Sequence, residues 1–217
     1  LLNSASKLLP NSDNEFRRLK ERYNFRNTYT KIPNGVTNDF IDQKSTHQKG
    51  MGVVCVGRIE FVKNQLNLIK ALKGTGIPLK IIGQPAPNHK AYYEQCKKEA
   101  TDNIQFLGQK SKEEIIHELD QAKVHVLPSW FETTGLSSIE ALARRCNIVI
   151  TKKGDTEEYF EDFAFYCDPQ SPDSIREAIE RALEEDVNPE LNKFIRQNFT
   201  WQNAAQKTLK AYQKVLS

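Results

Sequence analysis

The chain has 217 residues, 38% of them hydrophobic and 27% charged, with 31 Lys and Arg against 28 Asp and Glu. That balance supports one sizeable core and excludes collagen-like, disulfide-scaffold and wholly disordered chains. No apolar run approaches the roughly 20 residues of a bilayer-spanning helix, and the small basic excess is unclustered, which argues against a nucleic-acid surface. Met51 is the single methionine and the chain opens on Leu1, so the text before it is expected to have been cut away. Residues 1–7 lack the basic start and long apolar stretch of a signal peptide. The four cysteines (Cys55, Cys96, Cys146, Cys167) are far apart and form no C-x-x-C pair. Three of them sit within or beside apolar runs and read as small buried hydrophobes, which suits a reduced, cytoplasmic compartment with no zinc site.

Residues 7–10 could form a strand, and Ser12 could cap a helix from Asp13 to about Tyr23 with Glu15 in its first turn. Residues 32–36 read as a short strand entering a turn, and the polar stretch 42–50 as a linker. One strand and one helix cannot bury their apolar faces alone, so this segment reads as the tail of another domain. From Met51 onward, short apolar runs alternate with helical patterns. Strands are expected at 52–57, 79–83, 104–108, 124–127, 147–150 and 164–167. Between them lie helices carrying Leu66, Ile69 and Leu72, then Tyr92, Tyr93 and Cys96. The next presents Ile115, Ile116 and Leu119 behind a Ser111–Glu114 capping box, and the fourth runs over 136–145. After Asp168 and Pro169 the chain turns helical to its end, broken near 188–189 and 200–201.

Six short strands separated by helices predict a parallel sheet covered on both faces, an α/β doubly wound, Rossmann-like domain. The expected organisation is a remnant over 1–42, a main domain over 43–199, and a terminal helix over 200–217 that crosses back toward the remnant's domain.

The most informative stretch is 128–142, which leaves a strand and opens a helix, the place where open α/β sheets bind ligands. Gly135 lets the backbone approach a ligand closely, and the amides of Gly135, Leu136 and Ser137 can receive a phosphate at the positive helix end. Glu132 and Glu140 flank this point. Eight residues of helix would separate them by about 12 Å, wider than the ~5–9.5 Å of a glycosidase carboxylate pair. Gripping two ends of an extended ligand suits that spacing better, since a carboxylate accepts from two neighbouring sugar hydroxyls. Singly, each glutamate also fits an ordinary surface charge. Residues 57–63 (Gly-Arg-Ile-Glu-Phe-Val-Lys) leave the first strand of the alternation and bring Arg58 and Lys63 to the same sheet edge. Two cations there could neutralise a diphosphate. Trp130 and Phe131 are expected in the core, and His125 as a packed strand residue.

Ile-Pro-Asn-Gly-Val at 32–36, Val56-Gly57-Arg58 with Lys63, Phe106-Leu107-Gly108, and Pro128-Ser129 followed by Glu132-x7-Glu140-Ala141 together resemble retaining glycosyltransferases of family four. The resemblance covers nearly the whole chain in order. It implies one half of a B-type fold of two Rossmann-like domains, and a UDP-sugar or GDP-sugar as donor. Arg58 and Lys63 would hold the diphosphate and stabilise its charge as the sugar departs, and Glu132 would contact the sugar, completing the catalytic set. Gly57 borders that diphosphate, Glu140 would accept from the ribose hydroxyls, and the backbone of Thr134, Gly135 and Leu136 would meet the sugar and distal phosphate. Leu107 and Gly108 would border the base.

Thr133-Thr134 stands where many members carry Gly-Phe, and Gly83-Gln84-Pro85 where Gly-x-Gly-Pro is commoner. The family's amino-terminal glycine-rich loop, acceptor pocket and usual catalytic histidine would lie before Leu1. None of His47, His89, His117 and His125 fits that histidine's motif. The resemblance therefore implies a donor-binding fragment whose acceptor (a sugar, a lipid-linked group or a protein) and any membrane contact belong to the missing amino-terminal domain. No cofactor, metal or nucleic-acid partner is implied, and no Asp-x-Asp motif occurs. A non-catalytic nucleotide-binding module and a nucleotide-sugar epimerase of related fold are the competing readings.

Overall fold

A computed structural model describes residues 2–42 and 50–216; the linker expected over 42–50 falls almost wholly outside them. The first segment holds β1 (Lys7–Leu8), α1 (Asp13–Arg22), β2 (Thr28–Tyr29) and α2 (Asn38–Asp42). The alternating part begins with β3 (Gly52–Val56), α3 (Gln65–Leu72), β4 (Leu79–Ile82), α4 (Lys90–Glu99), β5 (Ile104–Gly108) and α5 (Lys112–Gln121). It continues with β6 (Ala122–Leu127), α6 (Leu136–Ala143), β7 (Asn147–Thr151), α7 (Thr156–Phe160), β8 (Ala164–Cys167) and α8 (Pro172–Glu184). Two last helices follow, α9 (Leu191–Asn198) and α10 (Trp201–Leu216).

Strands β3 to β8 form one six-stranded sheet in the order β5-β4-β3-β6-β7-β8, with every neighbouring pair parallel. This is the doubly wound α/β architecture expected from the alternation. Because side chains alternate along a strand, consecutive residues of β3 feed opposite layers. Val53 and Cys55 pack with Leu68, Ile69 and Ile179, while Val54 and Val56 pack with Ile139, Leu142 and Ile195. The strand order reverses between β3 and β6, so the loops leaving their carboxyl ends diverge and open a crevice.

Local signals decide most helix starts. Ser111 and Glu114 close the capping box of α5, and the Ser12 hydroxyl accepts from the Glu15 amide at 2.8 Å to open α1. The strand expected over 32–36 is not formed. Its place is taken by β2, which pairs with β1 in parallel, Lys7 opposite Thr28. The Thr30 and Ile32 amides extend the ladder to the Leu8 and Pro10 carbonyls, but the next amide on that edge, Asn34, donates to the Tyr159 hydroxyl at 3.3 Å instead. Val36 makes a single bridge to Thr200 instead. Among the described residues, no helix is long and apolar enough to cross a membrane.

Candidate active site

The loop after β3 and the loop after β6 face each other across the crevice, and a single ion pair joins them. A short 3-10 turn, Phe61–Lys63, ends at Asn64, which adopts a left-handed conformation (φ 58°). The buried Asn64 amide donates to the Pro128 carbonyl at 3.0 Å and to the Pro169 carbonyl at 2.8 Å. This anchors the turn to the loops after β6 and β8 and sets the direction in which Lys63 leaves the backbone. Lys63 Nζ meets Glu132 Oε2 at 2.6 Å. The Ser129 hydroxyl donates to the same oxygen at 3.1 Å, and the Gly135 amide donates to Glu132 Oε1 at 3.1 Å. Glu132 is 7% exposed, and a carboxylate so buried requires this full set of partners.

The backbone of Glu132 is held as closely as its side chain. Its amide donates to the Lys153 carbonyl at 2.9 Å, and its carbonyl accepts from the Asp155 amide at 3.0 Å. Gly154 lies between these two bonds, where an added Cβ would stand 2.0 Å from the Glu132 carbonyl oxygen. The approach of the two loops therefore requires glycine at that position.

Arg58 stands apart from this cluster. Its guanidinium pairs with Glu60 at 3.1 Å and its side chain is 70% exposed. The buried Gln65 pins the backbone beneath it, donating to the Arg58 carbonyl at 2.8 Å. Gly57 and Gly108 end their strands on either side of the β4 terminus. The Gly57 amide donates to the Ile82 carbonyl at 3.0 Å, and the Gly83 amide to the Gly108 carbonyl at 2.8 Å. A Cβ on Gly83 would lie 2.0 Å from the Gly57 carbonyl oxygen, so the three strand ends close into a tight floor. Leu107 is half-buried and packs against the core on the α6 side of the sheet.

Helix α6 carries the remaining candidates. Gly135 is its N-cap, and the first-turn amides of such a helix lack intrahelical acceptors. The Gly135 amide, expected to be open to a phosphate, is occupied by Glu132. Leu136 is 45% exposed at the crevice mouth, so the buried face of α6 is built from Ile139, Leu142 and Ala143 without it. Thr134 is buried, and its hydroxyl accepts from the Asn34 side chain at 3.0 Å. Glu140 lies one turn into the helix, where burial pushes its carboxyl up to about 7. The structure thus gathers Lys63 and the Gly135 amide on the Glu132 carboxylate and leaves Arg58, paired with Glu60, outside that cluster.

Residues 37–201 match the family model described as glycosyl transferases group 1. The chain belongs to that family. An uncharacterised glycosyltransferase of Methanocaldococcus jannaschii is 25% identical over 201 residues, covering 88% of this chain and 55% of the relative. Among solved structures, sucrose-phosphate synthase of Thermosynechococcus elongatus superposes with TM-score 0.83 at 19% identity, covering 99% of this chain and 59% of that one. Anabaena HepE, solved with UDP and glucose, gives TM-score 0.83 at 17% identity over 97% of this chain and 64% of its own. The chain therefore spans roughly 55–65% of the length of these proteins, and its sheet is one half of the B-type glycosyltransferase fold.

Several residues of this glycosyltransferase domain that shape the crevice gave no motif-level signal. Asn64 ties the loops after β6 and β8 together, Gln65 holds the Arg58 carbonyl and Ser129 the Glu132 carboxylate, and isolated polar contacts of this kind carry no period that marks them. Phe131, expected in the core, is 46% exposed at the mouth. Trp130 is partly buried and stacks on Phe61 with ring centroids 6.0 Å apart. His125 is fully buried on β6, where desolvation lowers its pKa to about 3 and keeps the ring neutral. All four cysteines are buried free thiols.

Proposed function

We propose that the crevice binds a nucleoside-diphosphate sugar, and that the complete protein transfers this sugar to an acceptor with retention of configuration, as a retaining glycosyltransferase of family four. The Lys63–Glu132 pair at 2.6 Å, set at the sheet's switch point beside the N-terminus of α6, is the observation that carries the reading. A diphosphate entering there meets two cations already held by carboxylates, Lys63 by Glu132 and Arg58 by Glu60. Lys63 has three donors and can keep Glu132 while binding phosphate oxygen. Arg58 is exposed and can turn from Glu60 to present its planar fork.

As the bond between the anomeric carbon and the phosphate oxygen breaks, negative charge grows on the diphosphate. Arg58, Lys63 and the first-turn amides of α6 stabilise it in place, the role a divalent metal has in other transferases. Glu132 accepts from hydroxyls of the sugar, Glu140 from those of the ribose, and the floor of Gly57, Leu107 and Gly108 lies beneath the base. The UDP and glucose bound by Anabaena HepE favour a uridine nucleotide, with GDP as the alternative.

Calorimetric titration with UDP, GDP and ADP tests the site. One of them should bind, and Lys63→Ala should weaken it at least about tenfold, the loss of a charge-assisted hydrogen bond. Absence of binding at millimolar concentration, or unchanged binding by Lys63→Ala, would overturn the assignment. Release of free nucleotide with the sugar joined to an acceptor, rather than a changed nucleotide sugar, separates transfer from epimerisation.

A further inference from the structure

Asp155 is a buried carboxylate with no place in the chemistry above. It is the N-cap residue of α7, yet its carboxylate makes no cap bond to its own helix. Its side chain, 1% exposed, turns instead to α1 in the first segment of the chain. The Ser12 hydroxyl donates to Asp155 Oδ2 at 2.7 Å. The Arg18 guanidinium grips both oxygens, with Nη2 at 2.8 Å from Oδ2 and Nη1 on Oδ1. The Asp155 amide meanwhile donates to the Glu132 carbonyl. One residue thus joins α1 to the backbone of the glutamate that faces Lys63.

Two further contacts run the same way. Arg18 also lies over the ring of Phe131, 5.2 Å from its centroid, and Asn34 donates to Thr134. The residue before Glu132 and a residue two after it are therefore both touched from the first segment. Asp155 is the buried link in this set, so a shift of α1 that moves its carboxylate is passed through the Asp155 backbone to the Glu132 carbonyl.

We infer that Asp155 is a positioning residue, coupling the docking of α1 to the placement of Glu132 and so to the grip on the donor's sugar. The inference rests on the nucleotide-sugar reading for its consequence, but the coupling has a ligand-free test. In Arg18→Ala and Asp155→Asn, amide exchange at Glu132 and Asp155 should accelerate about tenfold or more, while Ile81 and Val149 in the sheet keep their protection. Unchanged exchange at Glu132, with faster exchange confined to α1, would overturn the coupling. If Asp155→Asn does not fold, Arg18→Ala decides alone, because that side chain is partly exposed.

The second arm compares UDP with UDP-glucose. Both variants should weaken UDP-glucose about tenfold and UDP less than about threefold, the same selective loss as Glu132→Gln. Selective loss in Glu132→Gln without it in the two variants would sink the inference and leave the site reading intact. Binding of neither ligand by the unaltered protein would count against a uridine donor, the guanosine pair would then take its place in this arm, and the exchange arm would still decide the coupling.

Discussion

In the proposed donor site, Glu140 would place ribose binding and stability in opposition at one side chain. Its carboxyl titrates near 7 because burial disfavours the charge, whereas a glutamate in the unfolded chain titrates near 4.5. Between these values the folded state holds more protons than the unfolded one. Stability from this position is therefore full below about pH 4.5 and is lost as pH rises through about 7. Glu140→Gln should melt like the unaltered protein at pH 5 and several degrees higher at pH 8.5, roughly 2–4 °C for each kcal/mol recovered. The same substitution should weaken UDP binding, since an amide is a poorer acceptor for ribose hydroxyls than a carboxylate. Thermal melts at the two pH values and one titration check both outcomes. Glu140 was legible in the sequence through its spacing from Glu132, but its buried charge was not, because solvent exclusion depends on neighbours that only the fold brings together.

At the scale of elements, helix α6 is fixed at both ends by charge. Its first turn meets Glu132, and just beyond its last turn Arg144 is buried against Asp120 of α5. Arg144 Nε lies 2.8 Å from Oδ1 and Nη2 2.6 Å from Oδ2, and Nη1 donates to the Phe40 carbonyl of α2 at 3.2 Å. Asp120→Ala removes the carboxylate from a buried guanidinium and should cost about 3–5 kcal/mol. Asp120→Leu combined with Arg144→Met should recover most of that loss. Urea denaturation of both proteins measures the difference. The six strands of the sheet and the Ser111 capping box were legible because each is a local pattern of apolar period or cap chemistry. Strand β2 was not, since its two-residue ladder with β1 is made by main-chain groups and leaves no side-chain period. The bonds between Glu132 and residues 153–155 were hidden for the same reason.

At the scale of the whole molecule, the chain spans roughly 55–65% of the length of the relatives it matches. We propose that residues 1–217 alone bind a nucleoside diphosphate but transfer sugar poorly, because closure over the donor requires a second domain. A full-length protein and the 217-residue chain, compared for nucleotide release from UDP-glucose with an acceptor supplied, should differ by more than about a hundredfold. Equal rates would refute this. The reversal of strand order between β3 and β6 has one more consequence. Arg58 and Lys63 follow one member of that central pair, Glu132 and Glu140 the other, and the three crossover helices α3, α4 and α5 separate them along the chain. The pairing joins segments far apart in sequence, the kind of contact that forms slowly because a long loop must close first. Before it forms, the chain holds a nest of cations and a pair of acids with nothing to align them. Nucleotide added to a refolding mixture would then recognise molecules in which the two halves of the sheet have met, and would shift the equilibrium toward them by mass action.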